Sequence, residues 1–361
     1  MKIGIVTHYN VHNHGALLQL YALSNILSKK GHDAKALTFT KNFDFLPPNM
    51  DKKYSISIKS IFWYISYLFK FGLSRTFFNY KKKRKLDKFR KPLIGEYYSR
   101  AKNLEKVFIG SDEVFSLEVG MNNIFYGFGI PCNQLYSYAG CFGPYTYEMI
   151  KKNNLISYVK AGFEIMNNIS VRDENSRSIV EKISGKDPLV VCDPVILHGY
   201  FEESKLKTVR LPRKKYILIY SYDNNMNDKE EVRKIREFAK KHKLLLVSVG
   251  FYHKWCDKNI NADPLELLQY FKNAEYVITD TFHGSVISLI TESQFVTKIR
   301  TNSNKLMDLL IRYNTQEQVT SDFSNLDDLF ASKINYSEIN KLLENHRKLS
   351  MEYLDNCLTN I

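Results

Sequence analysis

A histidine lies where a short apolar run gives way to a polar turn. Residues 277–285 read VITDTFHGS, which predicts a strand followed by a turn that opens a helix. Ligands of parallel sheets bind at the carboxyl ends of the strands, so His283 and Asp280 are expected at a ligand-facing edge. An imidazole with an ordinary pKa of about 6.5 suits proton exchange, and a nearby carboxylate can fix its tautomer. His283 and Asp280 are therefore candidates for acid–base chemistry. The alternative interpretation of the same sequence is a histidine that only caps the helix.

Two other predicted strand ends carry charged side chains. In the sequence FIGSDE, a Gly-Ser turn brings backbone N–H groups and the Asp112 carboxylate to the same edge, although a plain Asx turn explains it nearly as well. In the sequence ISVRD, Arg172 can bind a phosphate or carboxylate in a bidentate manner. It can equally pair with Asp173 or Glu174.

The loop after the first predicted strand is rich in histidine and asparagine. Residues 8–15 read HYNVHNHG, and this spacing matches no zinc pattern. Hydrogen bonding to a sugar or an anion is therefore expected here rather than a metal site. The sequence contains neither GxGxxG nor a Walker A motif, which removes the usual support for NAD and P-loop nucleotide chemistry.

The elements that position these residues alternate between strands and helices. An apolar run, an amphipathic helix and a second apolar run open the chain, which predicts a parallel α/β sheet of about six strands. A basic, apolar-poor segment at 201–215 predicts a linker, and a second α/β pattern begins after it. We expect a Rossmann-like lobe at 1–204, a second at 205–330, and a helical tail at 331–361. Such lobes place a cleft between the carboxyl ends of two parallel sheets.

The positive charge is concentrated in one segment. The net charge is +14, and residues 51–106 contain 16 Lys and Arg against 4 Asp and Glu, an excess of 16 − 4 = +12. A helical insertion is predicted at about 55–91, in which an aromatic stretch precedes the run KKKRKLDKFRK. Residues 61–91 resemble an interfacial membrane anchor. A solvated helix face is the competing interpretation, and no nucleic-acid-binding motif is present.

Cysteine content and the N-terminus indicate the compartment. The 361-residue chain has five scattered cysteines and no CxxC pair, so neither a disulfide framework nor a zinc cluster is indicated. The N-terminus lacks a signal-peptide pattern, and the longest uncharged apolar stretch, 60–69, is half the roughly 20 residues that a bilayer requires. A cytoplasmic protein is expected, in contact with the inner face of the membrane if the basic segment binds lipid.

Taken in order, the motifs resemble the polysaccharide pyruvyl transferase family. The matching segments are MKIGIVT, NHGALLQLYAL, GSDEVF, SVRD, the Asp193-Pro194 pair and, most specifically, residues 263–284. The resemblance covers roughly residues 1–313. It implies two Rossmann-like lobes of the glycosyltransferase-B-like class, and transfer of a carboxyethylidene group from phosphoenolpyruvate to a sugar of a surface glycan precursor, with phosphate released. No metal and no cofactor beyond this co-substrate are implied, and the oligomeric state stays open.

The resemblance also implies roles for the candidate residues. The expected catalytic residues, which transfer protons, are His283, Asp112 and Asp280. The expected donor-binding residues are Arg172, Lys298, Arg300, Ser111, Gly284 and Ser285. The acceptor is expected on the side of the first lobe, bound by Asn13, His14 and Glu113. The sequence departs from the family pattern at two positions: Thr281 stands where many relatives carry Arg, and Glu113 replaces Gln. A nucleotide-sugar glycosyltransferase and a non-catalytic glycan-binding relative are the competing interpretations, and nucleic acid is not an expected partner.

Overall fold

The computed structural model describes residues 1–40, 60–117, 122–200, 208–300 and 304–359, with side chains of the helix that begins at residue 60 described from residue 72. Some predicted features lie outside this description. They are the domain boundary at 204, part of the linker, the first residues of the insertion, and the side chains of its aromatic stretch at 61–71.

The first lobe is built on a parallel sheet of five strands in the order β3-β2-β1-β4-β5. A separate parallel pair, β6 and β7, continues beyond β5 through single bridges such as that between Tyr136 and Asn168. The strands of this lobe are β1 (Lys2–Val6), β2 (Asp33–Thr38), β3 (Ile94–Tyr97), β4 (Leu104–Ile109), β5 (Cys132–Ser137), β6 (Ser170–Val171) and β7 (Leu189–Val190).

The second lobe contains a six-stranded parallel sheet in the order β10-β9-β8-β11-β12-β13. Its strands are β8 (Tyr216–Tyr220), β9 (Leu245–Val249), β10 (Lys258–Ile260), β11 (Tyr276–Thr279), β12 (Phe295–Lys298) and β13 (Val319–Thr320). The sequence pattern predicts the central strands, which are apolar, and misses β3, β10 and β13, whose residues are partly polar and lie at the sheet edges. The two sheets confirm the predicted pair of Rossmann-like lobes.

Helices cover both sheets. They are α1 (His14–Lys29), α2 (Ser60–Arg90), α3 (Tyr147–Lys152), α4 (Ile156–Glu164), α5 (Glu174–Ser184), α6 (Pro194–His198), α7 (Lys229–Lys241), α8 (Pro264–Lys272), α9 (Phe282–Ile290), α10 (Asn304–Arg312), α11 (Leu326–Ala331) and α12 (Tyr336–Thr359). In α12, Tyr353 donates a hydrogen bond to the carbonyl of Ser137 at 2.9 Å, and Arg347 donates one to that of Ile196 at 2.7 Å. The C-terminal helix therefore packs on the first lobe.

One of the hydrophobic clusters spans both lobes, and each lobe has a further cluster of its own. The buried apolar residues Leu18 of α1, Val249 of β9 and Phe271 of α8 belong to the same cluster. Helix α1 begins at the loop after β1 because Asn13 caps it, accepting hydrogen bonds from the backbone N–H groups of Gly15 and Ala16. The first turn of α1 contacts the second lobe, because His14 bonds to the carbonyl of Ala262. Within the described ranges, none of the helices combines the length and the apolar character needed to cross a bilayer.

Candidate functional site

A cavity of about 480 Å³ lies between the lobes, at the carboxyl ends of both sheets. Its volume is within the range of small-molecule sites. The first lobe contributes His8, Asn13, Asp112 and Glu113, and the second contributes Tyr222, Asp280, Thr281, His283, Arg300 and Lys305. Strand ends that are far apart in the sequence therefore meet around one space, as the sequence analysis predicts for His283, Asp280 and Asp112.

His283 is the second residue of α9 and is 9% exposed at the cavity wall. Its Nε2 has no hydrogen-bond partner among the described residues and lies 3.8 Å from Oδ2 of Asp193. Burial lowers the pKa of His283 below its ordinary value, against the opposing effect of the carboxylates of Asp193 and Asp112. The imidazole is therefore mainly neutral at pH 7, and its buried Nε2 faces Asp193 without a hydrogen bond.

The carboxylate beside His283 comes from the first lobe, which corrects the expectation that Asp280 would hold the ring. Asp193 caps α6, since its Oδ1 accepts the backbone N–H of Val195 at 2.9 Å. Its Oδ2 accepts hydrogen bonds from Gln19 and, at 3.0 Å, from Arg172. Asp193 is a site residue that the sequence reasoning missed, although it follows β7 as the other candidates follow their strands.

Arg172 lies beneath the cavity rather than in its wall. Its side chain is 3% exposed. The guanidinium contacts Asp193, lies 3.8 Å from Oδ1 of Asp112, and stacks over the Phe282 ring at 4.3 Å. In this arrangement Arg172 holds two carboxylates in place. A direct donor contact from Arg172, as predicted, would require these pairs to separate.

Asp112 lies in the turn after β4, with a positive φ of 83°. The turn requires glycine at position 110, where φ is 118° and a Cβ would lie 2.1 Å from the carbonyl oxygen of Tyr138. Burial alone would raise the pKa of Asp112, but Arg172, His8, His283 and Lys305 outweigh burial and lower it to about 2. Asp112 is therefore ionised at neutral pH. Neighbouring Ser111 is buried and does not line the cavity.

The strand end after β12 brings cations and carboxylates together. Arg300 donates from Nε to Asp280 at 2.5 Å and from Nη2 to Glu231 at 3.1 Å. Lys298 forms an ion pair with the same Glu231 and does not line the cavity. Burial would lower the pKa of Arg300, but its hydrogen bond to Asp280 and the charge of that carboxylate raise it above its ordinary value. Of the two cations predicted here, Arg300 is the one at the cavity.

Lys305, in the first turn of α10, is a cation that the sequence reasoning missed. Its ammonium group forms an ion pair with Glu113 across the cleft and lies 5.8 Å from the centroid of the Phe282 ring. Burial would lower the pKa of Lys305, but Glu113 outweighs it and raises the pKa to about 12. The negative charge that Glu113 adds is thus balanced from the second lobe. The sequence-based prediction covered charged residues at the ends of predicted strands. A prediction that also covered the first turn of the helix after β12 would have identified Lys305.

The predicted acceptor residues Asn13 and His14 separate in the structure. Asn13 lines the cavity, where its Nδ2 donates to the Tyr222 hydroxyl at 3.4 Å. His14 points the other way: it is fully buried and its Nε2–H donates to the Ala262 carbonyl at 2.9 Å. Burial lowers its pKa to about 3. His14 therefore packs the lobes together and does not reach the cavity, contrary to expectation.

Gly284 and Ser285, predicted to bind the donor, lie inside α9. The N–H of Gly284 donates to Oγ1 of Thr281, the helix cap, at 2.9 Å. Ser285 is fully buried and donates to Oγ1 of Thr297 at 3.3 Å. Neither residue lines the cavity. No cluster of three or more His, Cys, Asp or Glu side chains that could hold a metal ion occurs in the part of the chain that the structure describes.

Comparisons with known proteins agree with this architecture. The structure of a putative UDP-N-acetylglucosamine 2-epimerase from Listeria monocytogenes has a TM-score of 0.52 at 11% identity, with 94% of this chain and 90% of that chain covered. The S. aureus MnaA–UDP structure has a TM-score of 0.51 at 11% identity, with the same coverage. At such identities the likeness concerns the fold, and it confirms the glycosyltransferase-B-like class. No curated protein sequence matches the chain.

The family comparison is more specific. A model of the family described as polysaccharide pyruvyl transferase matches residues 13–297, which include the His283 turn, the Asp112 turn, Arg172 and Asp193. This match spans well over half of the 361 residues. The chain belongs to the polysaccharide pyruvyl transferase family.

Proposed function

We propose that the protein transfers a pyruvyl group from phosphoenolpyruvate to a sugar of a surface glycan precursor and forms a pyruvate ketal. The observation that carries this proposal is the position of His283, an imidazole with an unpaired Nε2 beside Asp193, in a cavity wall that also contains Arg300 and Lys305. Family membership supports pyruvyl transfer in general. The donor and the acceptor are those that the resemblance to this family implies, and the charged and hydrogen-bonding groups of the cavity suit them.

The reaction needs one proton delivered and two removed. The methylene carbon of phosphoenolpyruvate gains a proton, and the oxygen of a sugar hydroxyl forms a bond to the adjacent carbon. The bond from that carbon to the phosphate oxygen breaks, a second hydroxyl of the sugar adds to the same carbon, and the two hydroxyl protons are lost. One of these two protons balances the proton that the methylene carbon gains, and the departing phosphate takes up the other, so the net products are the ketal and hydrogen phosphate. Catalysis therefore needs an acid–base group beside an anion site.

His283 is suited to the proton transfer. In the free protein it is mainly neutral, because burial lowers its pKa. A donor that carries a phosphate and a carboxylate adds negative charge near the ring, which raises the pKa of His283 and favours proton uptake. The protonated ring then delivers the proton to the methylene carbon. Asp193, 3.8 Å from Nε2, stabilises the protonated form and orients the ring.

Lys305 and Arg300 are the proposed anchors of the donor. Lys305 supplies the positive charge that Thr281 lacks, and the donor phosphate would compete with Glu113 for its ammonium group. Arg300 uses Nε and Nη2 for Asp280 and Glu231, and Nη1 forms no hydrogen bond within the described ranges. Arg172 holds Asp193 and Asp112 from below. The lining carboxylates Asp112, Glu113 and Asp280 then disfavour a donor placed away from these cations.

The acceptor is expected on the side of the first lobe. Ionised Asp112 can accept a hydrogen bond from a sugar hydroxyl, and Asn13 with Tyr222 offers an amide and a phenol at the rim. Glu113 becomes available once the donor occupies Lys305. A glycan assembled on a lipid carrier at the inner face of the membrane is the expected source of such hydroxyls.

Phosphate release from phosphoenolpyruvate, measured with a panel of lipid-linked and synthetic glycan acceptors, tests the proposal. Acceptor-dependent release is expected. Lys305→Gln should raise the KM for phosphoenolpyruvate by roughly tenfold, the value of a hydrogen bond to a charged group. Lys240→Gln removes an exposed lysine outside the cavity and is the matched control. Release of UDP from UDP-sugars, with no phosphate release from phosphoenolpyruvate, would replace the proposal with glycosyl transfer. Glycan binding without any turnover would indicate a non-catalytic relative.

A further inference from the structure

One face of α2 exposes apolar side chains to solvent. Leu73, Phe77 and Tyr80 are 78%, 59% and 56% exposed. Their spacing of four and three residues places them on a single helix face. Single exposed apolar residues are ordinary, whereas three aligned along one helix form a patch that needs an explanation.

The opposite face of α2 is fixed on the second lobe, so the exposed residues cannot simply turn inward. Leu86 is fully buried, and Lys82 lies 4.0 Å from the centroid of the Phe251 ring. Lys85 donates to Glu266 at 2.5 Å, and Phe78 contacts the ring of Tyr252. The helix is thus held on one side and open on the other from residue 72 to residue 88.

Cations lie beside the exposed apolar side chains. Lys81 lies 4.2 Å from the centroid of the Phe77 ring, and the guanidinium of Arg84 lies 5.9 Å from that of Tyr80. Lys81, Arg84 and Lys88 are exposed and form no ion pair with other described residues. In contrast, Lys83 is neutralised by Asp87 at 2.7 Å. The most positive segment of the chain therefore directs its unpaired charge to the side that carries the apolar residues.

We propose that this docking face, formed by Leu73, Phe77, Tyr80, Lys81, Arg84 and Lys88, binds the surface of an anionic lipid bilayer. Aromatic and leucine side chains enter the headgroup region, while lysine and arginine attract lipid phosphates. A nucleic acid would use the charges and leave the aliphatic Leu73 exposed. The proposal concerns a surface outside the cavity and does not depend on the proposed function.

The docking face is connected to the rim of the cavity. Arg75 donates to Asn224 at 3.0 Å, and Asn79 donates to Asp223 at 3.1 Å. The same loop supplies Tyr222 and Asn225 to the cavity wall. A bilayer bound at the docking face would therefore lie one loop away from the cavity.

Sedimentation with lipid vesicles tests the proposal. The full chain is mixed with vesicles of phosphatidylglycerol and phosphatidylcholine, or of phosphatidylcholine alone, and is expected to sediment with the anionic vesicles. The triple variant Lys81→Gln, Arg84→Gln, Lys88→Gln should bind about 100-fold more weakly, since each cation near the surface contributes about fivefold. The double variant Phe77→Ser, Tyr80→Ser should bind the anionic vesicles roughly tenfold more weakly, because it buries less apolar surface in the bilayer. Lys82 and Lys85 stay unchanged because they pack on the second lobe.

A matched triple variant controls for net charge. Lys151→Gln, Lys152→Gln and Lys348→Gln remove exposed lysines elsewhere and should bind vesicles as the parent does. Unchanged thermal melting of all variants shows that binding losses are not losses of fold. The proposal is overturned if the parent does not sediment with anionic vesicles. It is also overturned if the control variant loses as much vesicle binding as the triple variant of the docking face, or if the Phe77→Ser, Tyr80→Ser variant binds vesicles as the parent does. Binding of single-stranded RNA as tightly as anionic vesicles would likewise reassign the face to nucleic acid.

Discussion

The first turns of α1 and α9 each carry a histidine, and the structure gives these histidines opposite roles. Both follow a buried strand and both lie at the boundary between the lobes. His14 is fully buried and bonded to Ala262, whereas His283 lies at the cavity with a free Nε2 beside Asp193. Each histidine lies at the start of a helix that follows a strand, so the difference in role comes from what the other lobe presents to its ring. The comparison teaches that a histidine at a strand end becomes reactive only where tertiary packing leaves it a cavity.

The largest expected effect separates the two residues by substitution. His283→Asn should lower kcat for phosphate release by about 10³-fold, as for loss of a general acid or base, and leave folding intact. His14→Gln keeps an N–H donor for Ala262 and should retain nearly full kcat. Steady-state kinetics and urea unfolding of both variants measure the contrast. Loss of turnover in His14→Gln at unchanged stability would contradict the division of roles.

Each ring is packed against a glycine of the opposite lobe, and this gives a second test. A Cβ at Gly15 would lie 2.2 Å from Cγ of His283, and one at Gly250 would lie 2.6 Å from Cε1 of His14. Gly15→Ala should displace the His283 ring and lower kcat by about 100-fold, because a shift of about 1 Å at a reacting group has such an effect. Gly250→Ala, at a φ of 77°, should lower stability and leave the kcat of the folded protein unchanged. Equal effects of the two variants on kcat would contradict the assignment of a catalytic role to His283 and a packing role to His14.

Sequence reasoning located His283, Asp112 and Asp280 because a strand followed by a polar turn is a local pattern. It could not locate the partner of His283, since Asp193 lies 90 positions away in the other lobe and only docking of the lobes brings it within 3.8 Å. The same rule placed His14 at a ligand-facing edge, and packing on Ala262 overrides it. Lys305 was missed because it belongs to a helix and not to a strand end. Local patterns predict where a ligand edge lies, and contacts between lobes decide which side chains face it.

The smallest expected effect is a pH dependence of the free energy of unfolding that comes from His14. The folded pKa of His14 is about 3, well below its ordinary value of 6.5, because burial disfavours the charged ring. The unfolded chain therefore binds a proton below pH 6.5 that the folded chain does not bind until about pH 3. The stability due to neutral His14 is fully present above pH 6.5 and is lost as the pH falls toward 3. Between pH 7.5 and pH 5 this loss is about 2 kcal/mol for the parent.

Urea unfolding of the parent and of His14→Gln at both pH values measures this loss as a difference of differences. Glutamine does not titrate, so the advantage of the parent over the variant should shrink by about 2 kcal/mol at pH 5. His283 titrates in both proteins and cancels from the comparison, because the two rings contact different partners. Parallel pH dependence in the two proteins would mean that His14 takes up a proton in the folded state, which would require water or an anion beside its ring. In that case His14 would resemble His283, and the packing role assigned to it here would be wrong.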